Sequence, residues 1–458
     1  VRTGRSRGRA LAPVASPGVP PEPVNPDAYR APIGTHDVLA PESRRWQALV
    51  AAFASRAERF GFDLVVTPVF EHREVFQRVG TTTDVVRKEM YELTDRGGRD
   101  LALRPEGTAP VVRAYVQHRP VPPWKAWYVA PNFRYERPQK GRYRQHWQLG
   151  AEVLGVDDPE IDVEVIALAH GFYREVGLER VELLVNSMGD EASRPAYTAA
   201  LRSYLLDHAP ALGEEFRERV EASPLRVLDS KRPEWADVIE RAPQLTEHLS
   251  DESRSHFEAV LAGLDALGVA HTIAPRLVRG FDYYTRTTFE FVSSALDAAQ
   301  NAVGGGGRYD RLAEEMGGPP TPGIGFGIGI ERVLIAADAE GAVEVGPRGR
   351  LDAFVVDGIG DGSAARVTDA LRRAGLRVDR AFGGRSVKAQ WKVADRSGAE
   401  VAVMLGRDEA ARGAVAVKDL TTGEQVEVTL AGLATWVHEH STAARRWTPP
   451  GAAPETGS

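Results

Sequence analysis

From Trp46 to Phe60 the apolar residues fall at Trp46, Leu49, Val50, Phe53, Ala54, Ala57 and Phe60, steps that line one helix face, and Gly61 ends the run. Asp63–Thr67 then reads as a strand closed by Pro68. Met90–Asp95 and Asp100–Arg104 read as two strands of a hairpin around Arg96-Gly97-Gly98. Thr108 with Pro110 opens a helix over Ala109–His118, with proline just inside its start. Trp124–Val129 and Arg144–Leu154 are expected strands flanking a basic, glycine-containing loop, followed by a helix over Ile161–Val176 and a strand over Val181–Val185. From about Glu191 to Leu267 the chain is charged, helical and lacks strand runs, which suggests an inserted helical module. Strands resume at His271–Ile273, Phe281–Val292 and Asn301–Val303; then come Gly304–Gly307, the run Gly323–Gly329, and a helix to about Ala339.

Gly341–Arg350 is rich in Gly, Pro and charge and reads as a linker. Beyond it strands at Leu351–Val356, Leu376–Arg380 and Val401–Leu405 alternate with helices at Ser363–Ala374 and Ser386–Ser397, the pattern of a small α/β domain with a largely parallel sheet. The expected organisation is a basic disordered extension over 1–26, a first domain over 27–340, the linker, a second domain over 351–442 and a disordered tail over 443–458. The first 21 residues carry four Arg and no acid, as a transit peptide does, but their Pro and Gly oppose a stable amphipathic helix. No internal repeat is evident.

Composition narrows the chemistry. The 458 residues contain no cysteine, which excludes disulfides, thiolate metal sites and a cysteine nucleophile. No window is apolar enough to span a membrane. A formal charge of −7 is too acidic for non-specific coating of nucleic acid but leaves room for local basic patches. The basic residues are 50 Arg and 7 Lys, which suits bidentate contacts to phosphate and carboxylate. No Lys follows a Gly, so there is no phosphate-binding loop of the Gly-x-x-x-x-Gly-Lys kind. Glycines 323, 325, 327 and 329 have period two, which defeats a dinucleotide fingerprint and leaves one strand face without side chains. The histidines show no metal-ligand spacing.

Three segments remain. Residues 134–144 hold Arg134, Arg137, Lys140, Arg142 and Arg144 against the single acid Glu136, with Phe133 and Tyr135 interleaved and Pro138 and Gly141 shaping a loop. Guanidinium groups at the rigid base of such a hairpin suit a reacting phosphate, and mobile ones at its tip suit a nucleic-acid end. Arg279 lies on a glycine-flexed turn beside Tyr283 and Tyr284, whose hydroxyls can read an imidazole or hydroxyl edge. Glu106 precedes a helix start, where an acid favours the helix dipole or binds an ammonium group.

Phe133-Arg134-Tyr135-Glu136 with its loop resembles motif 2 of class II aminoacyl-tRNA synthetases, Gly325–Arg332 resembles motif 3, and Gly61–Gly80 with Pro68 resembles motif 1. Residues 277–284 and Gly306-Gly307-Arg308-Tyr309-Asp310 resemble the two histidine-specific segments of the histidyl-tRNA synthetase family, and Arg104–Thr108 also fits it. Gly384–Gln390, Ala394–Gly398 and Gly406–Glu409 resemble that family's anticodon-binding domain, so the similarity runs from about Tyr29 to Glu427.

The resemblance implies an α+β catalytic domain with an antiparallel sheet and flanking helices, a helical insertion at about 191–267, and a C-terminal α/β anticodon-binding domain. It implies ATP-dependent attachment of L-histidine to tRNA(His) through histidyl-adenylate, in a cytoplasmic homodimer built on motif 1, with no membrane partner. Mg²⁺ accompanies ATP and no metal is tightly held by the protein. Arg134 and Arg279 flank the α-phosphate as the catalytic pair and also face histidine. Glu106, Thr108 and Gln148 hold the α-ammonium; Glu152 and Tyr284 meet the imidazole nitrogens, with Tyr283 close by. Glu136 reads the adenine, and Arg332 holds the distal phosphates and covers the adenine ring. Arg137, Lys140, Arg142 and Arg144, together with Arg385, Lys388 and Lys392, contact tRNA. Two anions must meet for histidine to be activated, so converging guanidinium groups are what the chemistry needs. Three rivals share parts of this pattern: a non-catalytic histidine-binding paralogue, an inactive RNA-binding relative, and another class II synthetase.

Overall fold

The computed structural model describes residues 29–78, 85–228, 230, 232–277, 283–297, 300–343 and 351–440. The expectations for 1–26, for 443–458, for most of the linker and for Arg279 lie outside those residues. The first domain is organised by an eight-stranded sheet. Its strands come from β1 (Asp63–Leu64), β5 (Trp124–Phe133), β6 (Gln145–Leu154), β7 (Val181–Ser187), β8 (Thr272–Ile273), β9 (Thr285–Ser293), β10 (Ala302–Arg308) and β11 (Gly323–Gly329). The intervening β2 (Phe70–His72), β3 (Glu92–Thr94) and β4 (Asp100–Leu103) form a separate three-stranded sheet in the order β2-β4-β3. The large sheet has the order β1-β5-β6-β11-β10-β9-β7-β8. All its inner pairings are antiparallel, and only the two-residue edge strands β1 and β8 pair in parallel.

The alternation of a strand decides what each face carries. In β6, Leu149, Ala151 and Val153 pack into the main core; in β11, Ile324, Phe326 and Ile328 do the same. That core is covered by the helices Glu42–Arg59, Pro159–Glu175, Asp251–Ala266 and Ile330–Glu340, which supply Phe53, Phe172, Val260 and Val333 among others. The intervening positions, Gln148, Gly150 and Glu152 of β6 against Gly329, Gly327 and Gly325 of β11, face the other way. Gly305 and Gly307 of β10 lie opposite Gly327 and Gly325 and continue that bare strip.

Several expected elements have other bounds: the strand foreseen over Phe281–Val292 begins at Thr285, and the one foreseen over Leu376–Arg380 begins at Val378. The strand foreseen over Asp63–Thr67 stops at Leu64, because the Arg104 guanidinium binds the Thr67 carbonyl at 3.2 Å and hydroxyl at 2.9 Å and pulls the chain off the sheet. The strand foreseen over Asn301–Val303 instead runs through all four glycines to Arg308, since neighbours on both sides pair with their backbone. The 191–267 stretch holds helices and no strand among its described residues, and its last helix, Asp251–Ala266, packs into the main core through Phe257, Val260 and Leu264.

The C-terminal domain carries β12 (Leu351–Asp357), β13 (Val378–Arg380), β14 (Ala399–Leu405), β15 (Ala414–Asp419) and β16 (Gln425–Thr429) in the order β13-β12-β14-β15-β16. The first three are parallel as expected; β15 and β16 add an antiparallel hairpin that the sequence reading did not foresee. Helices Ser363–Arg373 and Val387–Ser397 fill the crossovers.

Candidate active site

The side-chain-free strip of β10 and β11 is the floor of a cavity of about 260 Å³. Into it face Glu106 and Thr108, from the junction of β4 with the Thr108–His118 helix, and Arg134, Glu136, Gln148, Tyr283, Tyr284 and Arg332, from β5, β6, β9 and β11 or the segments beside them. The glycines are required by space. A Cβ at Gly325 would lie 1.6 Å from Glu152 Oε2, and one at Gly307 would lie 2.8 Å from the Tyr284 ring. Gly107 and Gly150 likewise leave room for Tyr128, whose ring a Cβ would approach to 2.4 and 2.2 Å.

One end of the cavity is built from hydroxyls and buried carboxylates. Glu106 is buried; its carboxylate accepts the backbone N–H of Thr108 at 2.5 Å and of Ala109 at 2.8 Å, so it caps the Thr108–His118 helix while facing the cavity. Burial lifts its carboxyl above the ordinary range. Gln148 Oε1 accepts from Asn132 Nδ2 at 2.6 Å, which fixes its amide. Glu152 is fully buried and does not line the cavity; it lies behind residues that do. Thr108 Oγ1 (2.8 Å) and Tyr128 OH (3.2 Å) donate to its Oε1, and Tyr309 OH (2.5 Å) donates to its Oε2. Desolvation pushes the Glu152 carboxyl up to about 8 against the pull of those hydroxyls. The Tyr283 and Tyr284 rings lie 4.6 Å apart, and burial keeps the Tyr283 phenol neutral.

The other end is cationic. Arg134 Nε donates to the Pro105 carbonyl at 2.8 Å and its Nη1 is 4.0 Å from Glu136. Arg332 donates to the Gly141 carbonyl at 3.2 Å and the Ala302 carbonyl at 2.7 Å, so the basic loop and β10 orient its guanidinium. Arg142 also lines the cavity and sits 3.5 Å from Glu136. His146, beside these cations, is pushed down to about 3 by burial first and then by Arg134 and Arg332, so it is neutral. Glu331 takes the Trp147 N–H on both oxygens, and burial lifts its carboxyl to about 7.

The remaining candidates lie elsewhere. Arg137 and Lys140 are exposed near the tip of the loop, where Gln139 and Arg142 close a turn. Arg144 stacks over the Tyr135 ring at 4.0 Å. Arg385, Lys388 and Lys392 are exposed on the C-terminal domain, the two lysines on the Val387–Ser397 helix. The sequence reading missed Tyr128, His146, Glu290 and Glu331 as lining residues and Tyr309 as a partner of Glu152. Tyr309 and Glu331 stood in segments already singled out, Gly306–Asp310 and Gly325–Arg332; Tyr128, His146 and Glu290 carry no local signal. Among the described residues no group of three His, Asp or Glu side chains is arranged to hold a metal ion.

The histidyl-tRNA synthetase family model matches residues 34–333, and an anticodon-binding domain model matches 355–440. The histidine–tRNA ligase of Geobacillus kaustophilus is 48% identical over 421 residues, covering 90% of this chain and 98% of the relative. That of Rhodococcus erythropolis is 48% identical over 408 residues, covering 88% and 96%. Among solved structures, apo histidyl-tRNA synthetase of S. aureus superposes with a TM-score of 0.75 at 35% identity, covering 89% of this chain and 99% of that one.

Proposed function

The chain belongs to the histidyl-tRNA synthetase family, and from that premise we propose that the cavity above the glycine floor is where it joins L-histidine to tRNA(His) at the expense of ATP. A histidine carboxylate oxygen attacks the α-phosphorus, the bond to the bridging oxygen breaks, and pyrophosphate leaves with that electron pair. A terminal ribose hydroxyl of the tRNA then attacks the carbonyl of histidyl-adenylate, and AMP leaves. The observation that carries this reading is that Arg134 and Arg332 face one cavity with Glu106, Thr108, Gln148, Tyr283 and Tyr284. Cations that neutralise a nucleotide and groups that fit an amino acid thus share one space.

Arg134 neutralises the meeting of carboxylate and α-phosphate, and Arg279 is assigned to the other side of that phosphate. Arg332 takes the distal phosphates, and Glu136 the adenine. Glu106, Thr108 and Gln148 hold the ammonium group; Tyr284 meets one imidazole nitrogen, and Glu152 the other through the hydroxyls in front of it. Mg²⁺ would accompany ATP, carried chiefly by the phosphates, with Glu290 among the carboxylates that line the cavity. Arg137, Lys140 and Arg144 are assigned to the acceptor end of the tRNA, Arg142, which lines the cavity, to that end and to the nucleotide, and Arg385, Lys388 and Lys392 to the anticodon arm.

A second copy of the chain is the proposed partner of the β1 edge. Leu64, Val66, Val69 and Phe70 are 54, 83, 39 and 54% exposed, an apolar patch beside an unpaired strand edge that a monomer does not favour. The cytoplasm, where tRNA is charged, is the proposed location; no helix among the described residues is long and apolar enough to cross a membrane. Histidine-dependent ATP–pyrophosphate exchange tests the activity. Exchange with histidine alone among the twenty amino acids supports it; no exchange, or a different amino acid, overturns it in favour of a paralogue or another class II enzyme.

A further inference from the structure

Tyr283 and Tyr284 are suspended from the root of the helical 191–267 stretch. That stretch leaves the sheet after β7 through Met188 and Gly189 and returns in the Asp251–Ala266 helix. Arg286, two residues beyond Tyr284, is bonded to both ends. Its N–H donates to the Gly189 carbonyl at 2.8 Å, and its carbonyl accepts from the Met188 N–H at 2.6 Å. Its guanidinium donates to Glu252 Oε1 at 2.5 Å in the returning helix and to Asp157 Oδ1 at 2.8 Å in the turn before the Pro159–Glu175 helix. Asp310 Oδ2 is 3.9 Å from its Nε, and Asp310 also accepts from Thr285 Oγ1 at 3.0 Å. On the other flank Arg194, in the first helix of the stretch, donates to the Tyr284 carbonyl.

Arg286 makes these contacts at φ +45°, a left-handed conformation that a side chain with a Cβ rarely adopts. Such strain persists where the surroundings over-determine it, and here four separate segments do so. Arg286 does not line the cavity. Tyr283, Tyr284 and Tyr309 nevertheless share one buried cluster with Met188, Tyr197 and Leu201, so the pocket tyrosines and the root of the stretch are packed as one body.

We propose that Arg286 is a positioning residue for histidine recognition: its ion cluster fixes the Tyr283–Tyr284 pair against the root of the helical stretch. The proposal rests on the reading that these tyrosines contact histidine. Misplacing such a contact by an ångström costs up to about a hundredfold.

The test measures KM for histidine and for ATP separately, by pyrophosphate exchange. The variants are Arg286→Met, the double variant Asp157→Asn with Glu252→Gln, and Tyr284→Phe. For the first two, KM for histidine is expected to rise about tenfold or more while KM for ATP stays within about twofold, with partial recovery in Arg286→Lys. A merely structural role lowers the folded fraction, and hence kcat, without moving either KM. If Arg286→Met does not fold, the double variant decides alone, since its two side chains are 55 and 70% exposed. Unchanged KM for histidine, or equal movement of both KM values, overturns the proposal. If Tyr284→Phe alone leaves KM for histidine unchanged, the tyrosine reading fails; if it raises KM while the Arg286 and double variants do not, only the role of Arg286 fails.

Discussion

Replacing Glu152 with Gln keeps shape and removes charge, and the consequence should depend on pH in a way that the geometry fixes. Two hydroxyls donate to Oε1 and one, Tyr309 at 2.5 Å, to Oε2. A glutamine oxygen at the first position keeps Thr108 and Tyr128; its amide nitrogen then faces Tyr309, whose hydroxyl must turn from donor to acceptor. With the carboxyl pushed up to about 8, roughly one molecule in thirty carries it ionised at pH 6.5 and about nine in ten at pH 9. At the lower pH the glutamine resembles the neutral acid it replaces, and the loss is that of a neutral hydrogen bond, about 0.5–1.5 kcal/mol. At the higher pH it removes a charge-assisted bond, about 1.5–3 kcal/mol, or roughly a ten- to hundredfold change.

The assay is kcat/KM for histidine by pyrophosphate exchange from pH 6.5 to 9. The ratio of wild type to Glu152→Gln cancels the titration of the substrate itself. It should be a few-fold at pH 6.5 and grow through pH 8 to between about ten and a hundred at pH 9. KM for ATP should not follow, because Glu152 reaches the cavity only through Thr108 and Tyr128, the hydroxyls assigned to the amino acid's side. Stability moves oppositely. The folded carboxyl is raised from 4.5 to about 8, so the native state holds a proton that the unfolded chain releases in that window. The stability that this proton confers is complete below pH 4.5 and is lost as pH rises to about 8. The Tm of Glu152→Gln relative to wild type should therefore climb from pH 5 to 8 and level off. A ratio flat in pH, with flat relative Tm, would show that Glu152 neither titrates near 8 nor serves the imidazole.

Arg332→Ala should lower exchange by about a hundredfold or more while histidine binding, measured calorimetrically, persists; Arg332→Lys should not restore it, because the guanidinium spans two carbonyls that a single ammonium cannot. Unimpaired exchange in either variant would refute the assignment. Gly325→Ala places a methyl group within 1.6 Å of Glu152 Oε2 and 2.6 Å of the Ala151 carbonyl, and should cost about 3 kcal/mol or more, read as a fall in Tm. An unchanged Tm would mean that the carboxylate has room to withdraw. Arg142→Ala should slow both exchange and transfer to tRNA, because Arg142 lines the cavity 3.5 Å from Glu136, whereas Arg137→Ala should slow transfer alone. Exchange as fast as wild type in both variants would place both side chains outside the nucleotide site.

Much of the fold could be read from periodicity. The helices Glu42–Arg59 and Pro159–Glu175 bury one broad apolar face, and that regularity is what the sequence displays, whereas β5 and β6 are covered on both faces, with Ala126–Tyr128 and Leu149–Leu154 buried without a break. The hairpin β15–β16 escaped notice because β15 is a short run of small residues, Ala414 to Val417, buried on both faces, and β16 is a five-residue edge strand with Gln425, Val426, Glu427 and Thr429 open to solvent. The strand expected over Asp63–Thr67 is real but ends at Leu64, because its end is set by Arg104, a residue nearly forty positions away. Tertiary capture of a carbonyl leaves no mark in the local pattern.

The site divides along the same line. The arginines could be found because several cations on one loop are conspicuous, and the glycine strip because period two in an apolar strand demands an explanation. Glu152 is different. Its properties come from Thr108, Tyr128 and Tyr309, at separations of 44, 24 and 157 residues, and from the missing side chain at Gly325. None of those residues alone says that a carboxyl will be buried and held near neutrality. What the sequence does contain is the empty half of the pair: a glycine exists at 325 because a carboxylate from the neighbouring strand fills the volume its side chain would occupy. Bare positions on a strand thus point to the side chains opposite them. In this protein, reading β11 through its register with β6 leads from Gly325 to Glu152 and from Gly329 to Gln148, two of the groups that the amino-acid end requires.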